Sequence, residues 1–332
     1  MYSAICSVKK GMHKGLLALG IVLILVGLFL TTFYYLPYIW SPSSYKSASP
    51  QTELDSEEDD TEPEVEQYVE LQVDMYLKSE KWMRDYPSDL PIYEALIAYD
   101  VSNLGTAIAE DVLVTIRIDG AVSQQFSLGS LPAYASSADQ FSVSINYDDM
   151  KHISLSASNQ DSEDTDLLTI SAVLARSYDS KVAKLYITPD DPLIEQTLEY
   201  IVKNPFIPDW IEIRDWVANN VEYRYDSVSH GKSEYWQLPR ETLSLKRGDC
   251  EDFSILLTSL YRAIGWDESE VYVVLGEKNE EGHAWVKLNV DIIGWQNLEP
   301  QAGALNTIIG DFLSLSGFTA KCNFNDVYLF GV

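Results

Sequence analysis

The chain has 332 residues, of which 46% are hydrophobic and 22% are charged, enough for about two folded domains. Its 51 acidic and 23 basic residues give a formal net charge of -28 at pH 7. Because affinity for phosphate groups comes from lysine and arginine, this charge excludes nucleic acid as an expected partner, and it could attract basic substrates.

The N-terminal part of the chain predicts a membrane anchor. Residues 16–40 carry no charge, end in a cluster of tyrosines with a tryptophan, and follow Lys9, Lys10 and Lys14. As a helix rising about 1.5 Å per residue, this run would cross a hydrocarbon core about 30 Å thick. The positive-inside rule then predicts a cytoplasmic segment 1–15, a transmembrane helix in the lipid bilayer and extracellular C-terminal domains, that is, a single-pass cell-membrane protein. A cleaved signal peptide is the alternative.

Two further segments precede the C-terminal domain. Residues 41–65 are rich in serine, proline and acidic residues, and because they have little to bury they predict a disordered linker. Residues 66–187 contain short alternating runs separated by turn residues, which predicts an all-β sandwich. Val101–Gly120 resembles the Ig-like modules of prokaryotic surface proteins. We expect this sandwich to serve as a spacer or as a binding module.

Residues 188–332 are expected to form the functional domain. Gly248 permits a tight turn, Asp249 is a good helix N-cap with Asp252 three residues on, and Cys250 begins a helix with one apolar face. The positive end of a helix lowers the pKa of a thiol and favours the nucleophilic thiolate. The neighbouring acids Asp249, Glu251 and Asp252 oppose that effect, so a cationic histidine partner is needed.

His283 is the expected partner. It begins the alternating run HAWVKL, and after a short turn the chain returns as WQNLEP, which would place Glu299 on the strand beside it. A carboxylate there could orient the imidazole and stabilise its charged form. Asp291, in the turn, is the fallback acid, and His230 is a weaker alternative base.

Three motifs in this order resemble the transglutaminase-like superfamily, in its prokaryotic cysteine-protease-like branch. They are RGDCEDF at 247–253, HAWV at 283–286 and GWQNLEP at 294–300, and the resemblance extends from about 192 to 300. It implies a papain-like α+β fold, with Cys250 as the nucleophile and His283 as the base. Glu299 stands where the family most often has aspartate, and this departure puts the third member of the triad in doubt.

The resemblance implies acyl transfer on protein or peptide amides through a thioester. Trp236, Gln237 and Asp249 are candidates for substrate or oxyanion contacts. Hydrolysis, protein cross-linking and a catalytically inactive surface module all remain open.

The three cysteines are too few for a disulfide framework, although a Cys250–Cys322 bond is arithmetically possible. Cys250, His283 and Cys322 lack the clustered spacing of a zinc site, and we expect no metal and no cofactor.

Overall fold

The computed structural model describes residues 66–201, 204–301 and 317–332. The expected cytoplasmic segment, transmembrane helix and linker, residues 1–65, lie outside the described residues. The described strands are β1 Leu71–Arg84, β2 Pro91–Asn103, β3 Ala109–Ile118, β4 Ala121–Leu131, β5 Ser136–Asn146, β6 Asp149–Ser158, β7 Glu163–Ala172, β8 Glu222–Tyr223, β9 Arg247–Gly248, β10 Val271–Lys278, β11 Glu281–Val290, β12 Gly294–Leu298, β13 Phe318–Phe324 and β14 Leu329–Gly331. The helices are α1 Pro192–Ile201, α2 Asp209–Asn220, α3 Asp226–Ser229, α4 Pro239–Leu245 and α5 Cys250–Ala263.

The first seven strands form two antiparallel sheets around one apolar core, and we call residues 66–172 the two-sheet region. The strand orders are β1-β2-β5 and β4-β3-β6-β7. Alternate residues along each strand point inward, as Phe141, Val143 and Ile145 do in β5. Because this alternation has the period of a strand, each sheet buries one face and leaves the other in water.

The C-terminal part, the helix–sheet region (residues 183–332), supports the candidate site. Its antiparallel sheet has the order β12-β11-β10-β13-β14, and α5 packs on it. Leu257 and Leu260 of α5 share a buried core with Val271 of β10 and Val286 of β11. The first residue of α5, Cys250, therefore lies next to the strand that carries His283.

The two regions are joined by packing and by ion pairs. Trp82 and Tyr147 of the two-sheet region pack against a core that contains Trp236. The Arg176 guanidinium, whose side chain is 10% exposed, pairs with Asp148 from the two-sheet region and with Glu241 of α4. The two-sheet region is thus fixed against the helices that flank the site.

The predicted fold class and localisation need correction. In the described residues no helix is long and apolar enough to cross a membrane. The longest described helix, α5, has 14 residues and carries Glu251, Asp252 and Arg262, whereas a membrane span needs about 20 mostly apolar residues. The predicted fold class with its transmembrane helix and the predicted single-pass membrane localisation are therefore wrong: the described chain is mostly β with a few helices, and its first seven strands form two packed sheets.

Arg176→Leu should lower the free energy of unfolding by about 3 kcal/mol, because it leaves two carboxylates without their shared cation. Arg224→Leu is the matched control, since Arg224 is 37% exposed and pairs with the exposed Glu222. We expect a loss of about 1 kcal/mol or less. Urea unfolding of the full-length protein measures both. Equal losses in the two variants would contradict the role given to Arg176.

Candidate active site

Cys250 is the first residue of α5, and a close backbone approach makes this start possible. A Cβ atom on Gly248 would lie 2.5 Å from Cβ of Asp252, so only glycine fits there. The backbone N–H of Asp249 donates to Oδ2 of Asp252 at 3.3 Å, which is the returning bond of a capping box whose N-cap is Asp249. Phe253, Leu257 and Leu260 form the buried face of the helix. Local sequence rules therefore account for the position of Cys250.

His283 and Glu299 are in direct contact. Nε2 of His283 lies 3.0 Å from Oε1 and 3.1 Å from Oε2 of Glu299, and both side chains are nearly buried. Because an ionised carboxylate only accepts hydrogen bonds, Nε2 carries the hydrogen in this contact. In a neutral ring Nδ1 is then the free base. The fallback acid, Asp291, lies in the exposed turn between β11 and β12.

Cys250 lies against the strand that carries His283. The backbone N–H of Ala284, the residue after His283, donates to the Cys250 sulfur. Cys250 is half-buried and Cys322 is buried, and the two are not disulfide-bonded, so the possible Cys250–Cys322 bond does not form. His230 stacks on Tyr235, with ring centroids 4.1 Å apart, and takes no part in this contact.

Gln237 and Trp236 have other partners than the predicted oxyanion. Nε2 of Gln237 donates to Oδ2 of Asp252 at 2.7 Å and to the Arg247 carbonyl at 3.2 Å. These bonds use both of its amide hydrogens. The Trp236 indole donates to Glu234 at 2.8 Å and is fully buried. Gln237 therefore stabilises the start of α5 through Asp252. Neither Gln237 nor Trp236 has a side-chain donor left for an oxyanion.

The thiol is held in its neutral form. Burial, and then the nearby charge of Asp249, raise the pKa of Cys250 from 9.0 to about 12. The hydrogen bonds from Ala284 and with Glu251 act in the opposite direction but are weaker. The predicted lowering by the helix N-terminus is thus outweighed by loss of hydration, which penalises a buried anion.

Four carboxylates next to the thiol could hold a cation, a feature that the sequence analysis missed. Carboxylate oxygens of Asp226, Asp249, Glu251 and Asp252 come within 4.8 Å of one another. Burial raises the pKa of Asp226 to about 7. Burial also raises the pKa of Glu251 and the pKa of Asp252 well above their ordinary values. Oδ1 of Asp226, Oδ1 of Asp249 and Oε1 of Glu251 are buried and find no hydrogen-bond donor among the described residues. An all-oxygen set of this kind suits a hard divalent cation such as Ca²⁺.

Alkylation of Cys250 by iodoacetamide should be slow at neutral pH. The thiolate is the reactive form, and the pKa of Cys250 is raised from 9.0 to about 12. The thiolate fraction at pH 7 is therefore about a thousandfold below that of an ordinary cysteine. The rate should rise through pH 9 and beyond, and the same residue in urea should react as an ordinary thiol. Peptide mass spectrometry measures the modification. A plateau below pH 9 in the folded protein would contradict the neutral thiol.

Millimolar Ca²⁺ should raise the midpoint of thermal unfolding of the wild-type protein by several degrees, because a cation that binds only the folded state stabilises it by mass action. Glu251→Gln and Asp226→Asn should each reduce this shift. Glu222→Gln, an exposed acid outside the cluster, should keep the full shift. An equal Ca²⁺ response in all four proteins would exclude the cluster as the binding site.

Comparison with known proteins agrees with the motif order. Residues 202–300 match the Transglutaminase-like superfamily. No curated protein matches the chain.

Among solved structures, calcium-bound LapG of Legionella pneumophila is similar at 16% identity, over 42% of this chain and 76% of that one, with a TM-score of 0.35. A second LapG structure from the same organism has 15% identity over 48% and 90% of the two chains, with a TM-score of 0.34. A CARDB domain from Pyrococcus furiosus has 18% identity over 33% and 100%, with a TM-score of 0.27.

The matched segment contains Cys250, His283 and Glu299, the three residues whose contacts are described above. The family match and the order of the motifs together identify residues 202–300 as a transglutaminase-like domain.

Proposed function

We propose that this domain is a cysteine hydrolase, a peptidase or amidase that acts on protein or peptide amides through a thioester. The observation that carries the proposal is the pairing of His283 with Glu299 on a strand whose next residue, Ala284, donates its N–H to the Cys250 sulfur. A nucleophile, a base and an acid that orients the base are the parts that acyl transfer needs.

The tautomer of His283 determines which ring nitrogen can accept the proton of the thiol. With Nε2–H on Glu299, Nδ1 is the nitrogen that can take the proton of the Cys250 thiol as its sulfur bonds to the amide carbon. The same proton then goes to the leaving nitrogen as the carbon–nitrogen bond breaks. Water hydrolyses the resulting thioester and returns the free thiol, so that no other reactant is consumed.

The start of α5 supplies the expected oxyanion stabilisation. The first N–H groups of a helix have no intrahelical acceptor, and the Cys250 backbone N–H is one of them. Since Gln237 and Trp236 use their donors elsewhere, backbone groups are the better candidates. The raised thiol pKa requires His283 to act as a general base during attack, rather than as one half of a resting ion pair.

One observation favours a second candidate, an inactive binding module of the same fold. The Cys250 thiol, surrounded by carboxylates, has a pKa of about 12 and gives little thiolate at rest. A protein cross-linking transglutaminase would use the same three residues and differ only in the acceptor, a lysine amine in place of water.

Turnover of casein by the full-length protein separates these candidates. Released amino groups report hydrolysis, and incorporation of a fluorescent primary amine reports cross-linking. Cys250→Ala and His283→Ala should each lower the rate by about 10³-fold or more, and Glu299→Gln by about 10²-fold or more, because members of such a triad act as a unit. Cys322→Ser is the matched control and should keep full activity, since Cys322 is buried in the core.

Full activity in Cys250→Ala would contradict the proposal. A folded wild-type protein without either activity, in the presence and absence of Ca²⁺, would favour the binding module.

A further inference from the structure

Glu299 has partners beyond His283, and they come from two separate parts of the chain. Nζ of Lys278 lies 3.4 Å from Oε1 of Glu299. The side-chain amide of Gln301 donates to Oε2 at 2.8 Å. Each carboxylate oxygen therefore faces Nε2 of His283 and also has one additional donor.

The end of the β11–β12 hairpin explains why Gln301 reaches this position. Val286 of β11 pairs with Leu298, the last residue of β12. His283 comes three residues before Val286, and Gln301 lies in the turn three residues after Leu298, so both are at the same end of the hairpin. Nε2 of Gln301 is 3.4 Å from Nε2 of His283, and its N–H is directed to Glu299.

Lys278 is itself held in place. It is the last residue of β10, and its Nζ lies 5.0 Å from the centroid of the Phe318 ring. Phe318 packs edge-on against Trp285 at 5.0 Å and lies 6.1 Å from the His283 ring. An ammonium over an aromatic face is attracted by the ring quadrupole. Lys278, whose side chain is 37% exposed, thus places its ammonium beside one oxygen of Glu299 while also contacting the Phe318 ring.

A glutamate needs such restraint more than an aspartate would. Its side chain has one more rotatable bond, and ordering a glutamate costs up to about 2 kcal/mol of conformational entropy. A carboxylate free to rotate would leave Nε2 of His283, and the ring could then adopt the other tautomer, in which Nδ1 carries the hydrogen and cannot accept a proton from the thiol.

We propose that Lys278 and Gln301 are positioning residues, which together hold the Glu299 carboxylate on Nε2 of His283 and so keep Nδ1 as the base. This inference rests on the proposed cysteine hydrolase, and it explains how glutamate serves at a position where the family most often has aspartate. Neither residue touches the reacting atoms; both act through Glu299.

The test uses Lys278→Met, Gln301→Leu and the double variant, each in the full-length protein labelled with ¹⁵N-histidine. Long-range ¹H–¹⁵N spectra distinguish a ring nitrogen that carries hydrogen from one that does not, and a His283→Gln spectrum assigns the His283 signals among the four histidines. Two matched controls are available. Lys287 lies 4.9 Å over the Trp295 ring, and the Gln296 amide bonds only backbone carbonyls, so Lys287→Met and Gln296→Leu remove similar groups away from Glu299.

Wild type, both controls and the conservative Lys278→Arg should show hydrogen on Nε2 and none on Nδ1 at a pH where the ring is neutral. The double variant should show a mixture of tautomers, and its casein turnover should fall on the order of 10- to 100-fold, as misplacement of a catalytic group does. Each single variant should show a tautomer ratio and a casein turnover between those of the wild type and the double variant.

Unchanged His283 spectra in the folded double variant would overturn the positioning role, whatever its activity. A loss of turnover without any change of tautomer would also overturn it. If Cys250→Ala keeps full turnover, the proposed hydrolase fails, and the spectra still decide whether Lys278 and Gln301 fix the ring.

Discussion

Burial of the Cys250 thiol is the constraint on which the chemistry of this site depends. The sulfur lies between the start of α5 and the backbone of β11, beside a cluster of carboxylates, and the loss of hydration there is the largest cause of its raised pKa. A helix N-terminus alone would stabilise a thiolate, but desolvation and the negative charge of Asp249 are stronger in this case. The reactivity of Cys250 therefore depends on a base that removes the thiol proton, and His283 is the candidate for that base.

The sheet provides that base in a fixed orientation. Gly276 of β10 pairs with His283, and a Cβ atom there would lie 2.1 Å from the Thr319 carbonyl oxygen and 2.8 Å from the Trp285 ring. Only glycine allows β10, β13 and the tryptophan to approach so closely. The indole of Trp285 in turn donates to Asn297 at 2.9 Å, which ties β11 to β12. The strands that carry His283 and lead to Glu299 are therefore held rigidly together.

The acid cluster and the thiol form one electrostatic unit. Asp252 is bound by Gln237, whose backbone N–H donates to its Oδ1 at 2.7 Å, and Asp226 accepts from the Tyr235 backbone. These contacts keep two carboxylates in place despite their mutual repulsion. Protons or a cation must compensate the remaining charge, because several ionised carboxylates this close in a buried site repel one another strongly.

Local patterns predicted much of the site, and long-range contacts account for what they missed. The start of α5 follows from a cap and an apolar spacing within about two turns, and the contact of His283 with Glu299 follows from a short hairpin. The approach of Asp226 to Asp252, the use of Gln237 beside α5 and the position of Lys278 at Glu299 depend on folding of distant segments, which spacing does not reveal. Hydropathy alone also suggested a membrane span at 16–40, a segment outside the described residues; no helix in the described residues is long and apolar enough to cross a membrane.

The most direct test of the account is detection of a thioester on Cys250. Full-length protein mixed with a casein digest is quenched in acid within seconds, and the peptide that contains Cys250 is examined by mass spectrometry. We expect an acyl adduct on this cysteine that hydroxylamine removes and that does not form in His283→Ala. Continued amide turnover with Cys250 unmodified at every time point would contradict it.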